Sequence, residues 1–596
     1  MPLEVNGHVG RLHRFQPFDA DSADLVFERQ TDHNQPTFRV VTRDYLLSVV
    51  ESPETRTIVL TGDAGHGKTS LCASLLEDLG ASNEDAARQI ERAGKHGREP
   101  VGTTAAGRPI YMLKDLSDFS ASVGAQRLID LLNPPDSGVA IICANEGQLR
   151  NCVSDDKSRL AQIVVDTLGS GIKLGTVASS DGSVVVINLN YQSVAPDDQN
   201  DGLVDWATRS WSADKRSWQI CKRCDARDAC PILANHEALS DGAGGPPRRR
   251  AVRDVFSAAE RTGAIITARQ ALSVLAFAIT GGLTCKDVHS RYRNARTDDS
   301  WQYPYQYHQA LFGDRLSPQQ RQQVPAIAAL RRLDPGRVSR RQVDDMLEPE
   351  GAKVTFLPPM PGASGRPVRT AQDAQREASA LRDLYTFLRR ADFFSGDASD
   401  RFARLGLSAG DEFVRITGSA SDASKTAVRD VLLKGLEAVQ GIHRTGNNPD
   451  FLVLDPAFFS HRTRAAVVSR TVTNRNVQIV DQVSQWRSET EPGALGPLLH
   501  EAVEWLNRAI FVRIPAPSGR APIAVEVDLL RFELLNRWAA GLRSGTQHEA
   551  EIRGLTSTLA ALAEAASERE VIQVLVGGAP RKLTIDVGEQ IRSVRV

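Results

Sequence analysis

The stretch "LTGDAGHGKTSL", Leu60 to Leu71, limits what this chain can fold into more than any other. Gly62, Gly67, Lys68 and Thr69 satisfy the pattern G-x-x-x-x-G-K-[ST]. Glycines there let the backbone curl so that successive N–H groups face phosphate oxygens. The candidate nucleotide loop is Gly62, Asp63, Ala64, Gly65, His66, Gly67, Lys68, Thr69 and Ser70. Lys68 is placed to reach the β- and γ-phosphates, and the Thr69 hydroxyl to meet Mg²⁺. Asp63 and His66 either face the γ-phosphate or shape the loop. The context is the required one. "TIVLTG" (57–62) reads as a buried β-branched strand, and "SLCASLLEDLG" (70–80) as a helix ending at glycine, whose positive end adds to anion binding. ATP and Mg²⁺ are the cofactors this pattern implies.

Further short apolar runs follow at 109–115, 138–147 and 183–190, with helical spacing between them, as in "AQRLIDLL" (125–132). Strands alternating with helices imply an α/β fold with a parallel sheet. Residues 1–40 are polar and weakly patterned and read as an extended lead-in, followed by a helix at 42–52. The ATPase core is expected over 41–240, with a cysteine-rich insert at 218–236. A flexible stretch is expected at 241–250, a helical lid over 250–350, and a Pro/Gly-rich linker over 357–375. A mixed α+β region is expected over 376–596, ending in a small antiparallel meander.

A phosphate loop needs an acidic side chain at the end of a neighbouring strand to hold Mg²⁺. "IYMLKDLSDF" offers Asp115, with Asp118 as the fallback. "VAIICANEG" ends a strand in Asn145, where a polar group can orient an attacking water; the alternative is a turn-forming residue. Glu146 and Asp118 are the candidate bases.

"WQICKRCDARDACPILANH" holds Cys221, Cys224 and Cys230, with His236 following. Thiolates two apart on a tight turn can reach one tetrahedral Zn²⁺. The fourth ligand is His236 or Cys285, and a filled set makes a structural zinc site. An iron–sulfur cluster, a redox role and unliganded thiols are the alternatives. Cys72, Cys143 and Cys152 read as core or near-core residues.

The chain has 596 residues, enough for about three domains, and a formal net charge of -1, so no overall charge draws it to DNA. Local basic clusters exist at Arg248–Arg250 with Arg253, at Arg331, Arg332, Arg337, Arg340 and Arg341, and at Arg462, Arg464 and Arg470. Each reads as a solvated face; for the first, beside a Gly/Pro loop, the alternative is a sequence-independent contact to a DNA backbone. No apolar signal core opens the chain, no apolar run approaches the ~20 residues of a membrane span, and seven cysteines argue against a disulfide framework. A cytoplasmic location without membrane contact is the expectation.

The order and spacing of these features resemble the AAA+ group of P-loop ATPases. That resemblance implies Mg²⁺ binding by Asp115, a first-sensor role for Asn145, and a second-sensor role for Arg269 at the start of "ARQALSVLAFAITGG". It also implies a homo-oligomer with an arginine supplied by a neighbour, for which Arg150, Arg291 and Arg293 are candidates. One departure stands out: the usual acidic strand ends Asp-Glu, and here Leu116 follows Asp115. The run "GDAGHGKTSL", "ANEG", "VVVINLN", "CKRCDARDACP", "AFAITGGLTC" and "VDLLRFELLNRW" further resembles the DptF-like ATPase component of DNA phosphorothioation-dependent restriction and related anti-phage systems. This implies defence-system protein partners, with any nuclease on a partner. A slow, nucleotide-gated STAND-type switch or scaffold is the alternative, favoured by the missing glutamate. A small-molecule kinase comes third.

Overall fold

The computed structural model describes residues 3–18, 38–93, 97–116, 121–132, 134–153, 166, 182–197, 202–213, 215–242, 244–294, 299–345, 371–395, 400–418, 420–440, 451–454, 465–468, 470–489, 499–515, 522–542, 549–564, 571–576, 579–587 and 591–595. In chain order the first part runs α1 (Gly7–His13), α2 (Val41–Glu51), β1 (Thr57–Thr61), α3 (Lys68–Asp78), α4 (Asn83–Ala93), β2 (Pro100–Thr103), β3 (Pro109–Leu113), α5 (Ala121–Leu132), β4 (Val139–Ala144), α6 (Glu146–Val153) and β5 (Val184–Asn188). The chain is mixed α/β, built on a five-stranded, mostly parallel sheet in the order β2-β3-β4-β1-β5. β1 pairs in parallel with both β4 and β5, and β3 in parallel with β4; only β2 is antiparallel.

The apolar runs of these strands are continuous because both sheet faces are covered. Every residue of β1, β4 and β5 is buried. Successive side chains alternate between two cores. Ile58, Leu60, Ile110, Met112, Ile141 and Ile187 pack with α2, α3 and α4. Val59, Leu113, Ile142 and Val186 pack with Leu128 and Leu131 of α5 and Leu149 of α6.

Two expectations change. Residues 7–13 are not an extended lead-in: they form a helix capped by the Asn6 side chain, with Val9 2% and Leu12 1% exposed. Nearby, the Phe15 ring lies 5.2 Å from Trp211, and the Gln16 amide donates to Thr280 Oγ1 at 2.8 Å. The rest of the lead-in, 19–37, lies outside the described residues. Within the segment 241–250, residues 245–250 are not a flexible loop. After α7 (Leu203–Ala213) and α8 (Pro231–Leu239), helix α9 (Gly245–Arg261) begins there, with Pro246 and Pro247 in its first turn. Proline is tolerated in that turn because its missing N–H has no intrahelical acceptor.

The first basic cluster is largely spent on structure. Arg248 donates to Ala238 O, Arg249 to Leu239 O and Asp241, and Arg253 lies beside Asp205 and Asp254. In the second cluster, Arg331 pairs with Asp314, Arg337 with Asp334, Arg340 with Asp392, and Arg341 with Asp345. Arg462 and Arg464 lie outside the described residues.

The expected lid region holds α9, α10 (Ala268–Thr280) and α11 (Cys285–Asn294), with shorter helices up to 345. The stretch Ala268–Asn294 is apolar enough by composition to cross a membrane, but it is two helices parted at Gly281, and 67% of its most apolar window is buried in the protein. Of the expected linker over 357–375, residues 357–370 lie outside the described residues, and 371–375 are not linker but the first turn of a helix that runs to Ser395.

The chain forms two compact units. The first contains Met1–Glu260, Ala264–Gly406 and Trp486–Leu506; the second contains Arg261–Gly263, Leu407–Gln485 and Asn507–Val596. The helical region is therefore part of the sheet-bearing unit rather than a separate body, and α12 (Ala371–Ser395) belongs with it. The second unit includes α13 (Asp422–Val439) packed on α14 (Leu529–Ala539), the three-stranded sheet of 478–481, 509–514 and 523–528, and a C-terminal antiparallel sheet of 571–576, 579–587 and 591–595 joined by 465–468.

Trp486–Leu506 is the unexpected part. It sits in the C-terminal third of the sequence but completes the first unit's core. Trp486, Ala502 and Val503 are buried among the α2–α3 side of the sheet. Tyr191 meets Trp486 edge-on at 5.5 Å and stacks on Trp505 at 6.4 Å. Ser193 N donates to Glu504 O, and the Glu504 carboxylate accepts from Val41 N at the start of α2. Trp486→Ala removes a ring that is only 3% exposed and should cost about 3–5 kcal/mol in a denaturant titration. A loss below about 1 kcal/mol would show that the segment is not part of this core.

Candidate functional site

Strand register assembles the candidate site. Thr61, the last residue of β1, is level with Ala144 at the end of β4 and Asn188 at the end of β5. Leu113 pairs with Ile142, so Asp115 leaves the sheet at the same edge. Four segments, starting at Gly62, Asp115, Asn145 and Leu189, therefore emerge together at the carboxyl ends of parallel strands. This is where open α/β sheets bind ligands.

The loop from β1 to α3 needs its glycines. Gly62, Gly65 and Gly67 have φ of 138°, 100° and 82°, a region that disfavours side chains. Gly67 is the N-terminal cap residue of α3 in the left-handed conformation, and it offers no side chain to the helix's first amides. Lys68 folds back across the loop, donating to Gly62 O at 2.6 Å and Asp63 O at 3.1 Å. Burial pushes its ammonium pKa down, while Cys143, Asp115 and Asp63 oppose that shift and Arg269 adds to it. Asp115 and Arg269 thus both act on the loop lysine across more than forty residues of intervening sequence. A bound anion would relieve a half-buried cation of this kind.

Arg269 reaches the loop through its backbone as well. Thr267 caps α10 by accepting from Gln270 N, and Arg269 N donates to Gly65 O at 3.1 Å. A Cβ at Gly65 would stand 2.9 Å from Thr267 Oγ1 and 3.0 Å from Arg269 Cβ, so the start of α10 lies directly against the loop. His66 is buried. Asn145 and Asp115 are exposed at the strand ends. The Glu146 side chain and all of Asp118 lie outside what the structure describes. Of the candidate neighbour-reaching arginines, Arg291 lies over the Tyr305 ring at 5.1 Å.

Sequence reading missed Asn190 and Thr267. The Asn190 side-chain oxygen accepts from Asp63 N at 2.9 Å, and the Asn190 backbone N–H donates to Asn188 Oδ1 at 3.1 Å. β5 thereby fixes the loop from the side opposite β4. The run "INLN" carries both asparagines, but nothing local says that they face a loop 127 residues away.

The cysteine-rich insert forms a second cluster. Cys221 and Cys224 flank a tight turn in which Cys224 N donates to Cys221 O. Cys230 begins α8, and the amides of Ile232 and Leu233 act on its sulfur. Burial pushes the Cys230 thiol up to about 12, with Cys221 and Cys285 adding to the shift. Burial also raises Cys221 and Cys285, each of which feels Cys224. Cys285, the first residue of α11, shares a hydrogen-bonding residue, Asn6, with Cys221. His236 stacks on Trp218 at 4.2 Å with its Nδ1 buried and unbonded, and burial holds its pKa down at about 4, aided by His8 and Lys222. His289, one turn after Cys285, lies 3.5 Å from Cys224 Sγ. Asn6 spans two sulfurs, its side-chain amide donating to Cys221 Sγ at 3.2 Å and its backbone N–H to Cys285 Sγ at 3.4 Å. Among the described residues, no three His, Cys, Asp or Glu side chains already stand in metal-holding geometry.

Cys72 and Cys143 are buried core thiols 3.8 Å apart, as expected; the Cys152 side chain lies outside what the structure describes. No family model matches the chain, and neither curated proteins nor solved structures provide a match.

Gly65→Ala tests the packing of α10 on the loop. It adds a methyl at a positive φ against Thr267 and Arg269. Thermal unfolding should show a loss of about 1–3 kcal/mol; unchanged stability would mean that loop and helix are not held together as described.

Proposed function

We propose that this chain binds ATP with Mg²⁺ at residues 62–70 and hydrolyses it, as an AAA+-like P-loop ATPase. One observation carries the reading: at the carboxyl edge of a parallel sheet, a glycine loop at positive φ holds Lys68 half-buried, with Asp115 and Arg269 acting on it from two other elements. In this reading Lys68 binds the β- and γ-phosphates, while Thr69 and Asp115 hold Mg²⁺. Asn145 orients water, and Arg269 reports on the γ-phosphate from α10. Gly62, Asp63, Ala64, Gly65, His66, Gly67 and Ser70 complete the cradle.

The biological setting, a DNA-directed bacterial defence or restriction assembly with further protein partners, rests on the motif order shared with DptF-like ATPases. The pairing of most Arg248–Arg341 cluster side chains with acids or carbonyls favours DNA contact through a partner over a basic face of this chain.

A second reading, a slow nucleotide-gated switch of the STAND type, is favoured by one residue. Leu116 occupies the position after Asp115 and is 4% exposed, so the usual glutamate base is replaced by a core side chain. Steady-state turnover with and without DNA separates the two: multiple turnovers favour the ATPase, and binding without turnover favours the switch. Lys68→Ala should weaken ATP binding or turnover by roughly 10²-fold or more. Wild-type binding and turnover in that variant would contradict the nucleotide site itself.

A further inference from the structure

We propose that Cys221, Cys224, Cys230 and Cys285 form a four-thiolate zinc site, with Asn6 hydrogen-bonded to two of its sulfurs, so that one ion fastens the N-terminal helix α1 and α11 to the 218–236 insert. This inference stands apart from the nucleotide reading.

Four thiolates on one ion are a common closed structural set, and the donors here come from three separate places in the sequence. Two lie on the turn at 221–224, one begins α8, and one begins α11. A four-thiolate zinc centre carries net negative charge, so it needs N–H donors around its sulfurs. Those donors are present. Asn6 supplies two N–H groups, one to Cys221 and one to Cys285. The amides of Ile232 and Leu233 serve Cys230, and the N-terminal ends of α8 and α11 favour negative charge on Cys230 and Cys285.

Cys221 and Cys285 lie far apart in sequence yet share one hydrogen-bonding residue, Asn6, and Cys224 is tied to Cys221 by the backbone bond of their turn. The sulfurs do not yet converge among the described side chains. A cysteine has one side-chain torsion, and closing the sulfurs on an ion starts with that rotamer. Protein atoms lie against three of the four sulfurs, through Asn6 and through His289 at 3.5 Å from Cys224. That suits a single ion better than an iron–sulfur cube.

His236 belongs to a different arrangement. Its ring is stacked on Trp218, whose indole N–H donates to Trp211 O and whose ring meets His8 of α1 edge-on at 5.4 Å. The proposal therefore gives the fourth position to Cys285, which Asn6 joins to Cys221.

The test is metal content of the purified full chain by elemental analysis, with an absorption spectrum. About one zinc per chain is expected, with no iron and no charge-transfer band in the visible. His236→Ala should keep that zinc, whereas Cys285→Ser should lose most of it. If Cys285→Ser fails to fold, titration of wild-type protein with a thiol-blocking mercurial and a chromogenic zinc indicator gives the same answer. Release of about one zinc as about four thiols react is the expected result. A folded wild-type chain without zinc, an iron-containing chromophore, or loss of zinc in His236→Ala with retention in Cys285→Ser would each overturn the assignment.

Discussion

The first unit depends on the parallel register of β1 with β4 and β5. Because Thr61, Ala144 and Asn188 end level, the residues that follow each strand emerge at one edge. Every feature of the candidate nucleotide site is a consequence of that alignment: the loop from Gly62, the exposed Asn145, and the Asn190 amide that steadies Asp63. A shift of one residue in the pairing would also exchange the two cores, since alternate β1 side chains serve opposite sheet faces. Burial on both faces therefore fixes the geometry of the exposed edge.

Two further elements lean on this edge. The start of α10 approaches the loop closely enough that Gly65 has no room for a side chain, and its backbone bonds Arg269 to Gly65. On the other flank, Tyr191 follows directly after Asn190 and packs against Trp486 and Trp505. A change at the loop thus has two short physical routes outward, one into the helical region and one into the 486–506 segment. That segment continues in sequence into strands of the second unit on either side.

What could be read from the sequence was what local spacing encodes. The glycine–lysine pattern states its own backbone requirement, and the apolar runs at 57–62, 109–115, 138–147 and 183–190 all prove to be strands of one sheet. Asp115 and Asn145 could be found because each ends such a run. Asn6, Asn190, Thr267 and Trp486 could not, because each acts through a contact with a residue far along the chain. α1 was hidden by its length: seven residues with two buried apolar side chains leave little periodic signal. Pro246 and Pro247 suggested a loop although prolines also open helices. His236 was the nearest imidazole in sequence; the structure stacks its ring on Trp218, while Asn6 bonds Cys285 and Cys221 in common, a link that no local spacing announces.

We propose that nucleotide binds at the carboxyl edge of the sheet and is sensed by both flanks. Hydrogen exchange followed by mass spectrometry, with and without ATP and Mg²⁺, tests it most directly. Slowed exchange in peptides covering 62–70, together with those covering 188–191 and 265–270, is the predicted result. Unchanged exchange over 62–70 at saturating nucleotide, with protection appearing elsewhere, would contradict the account.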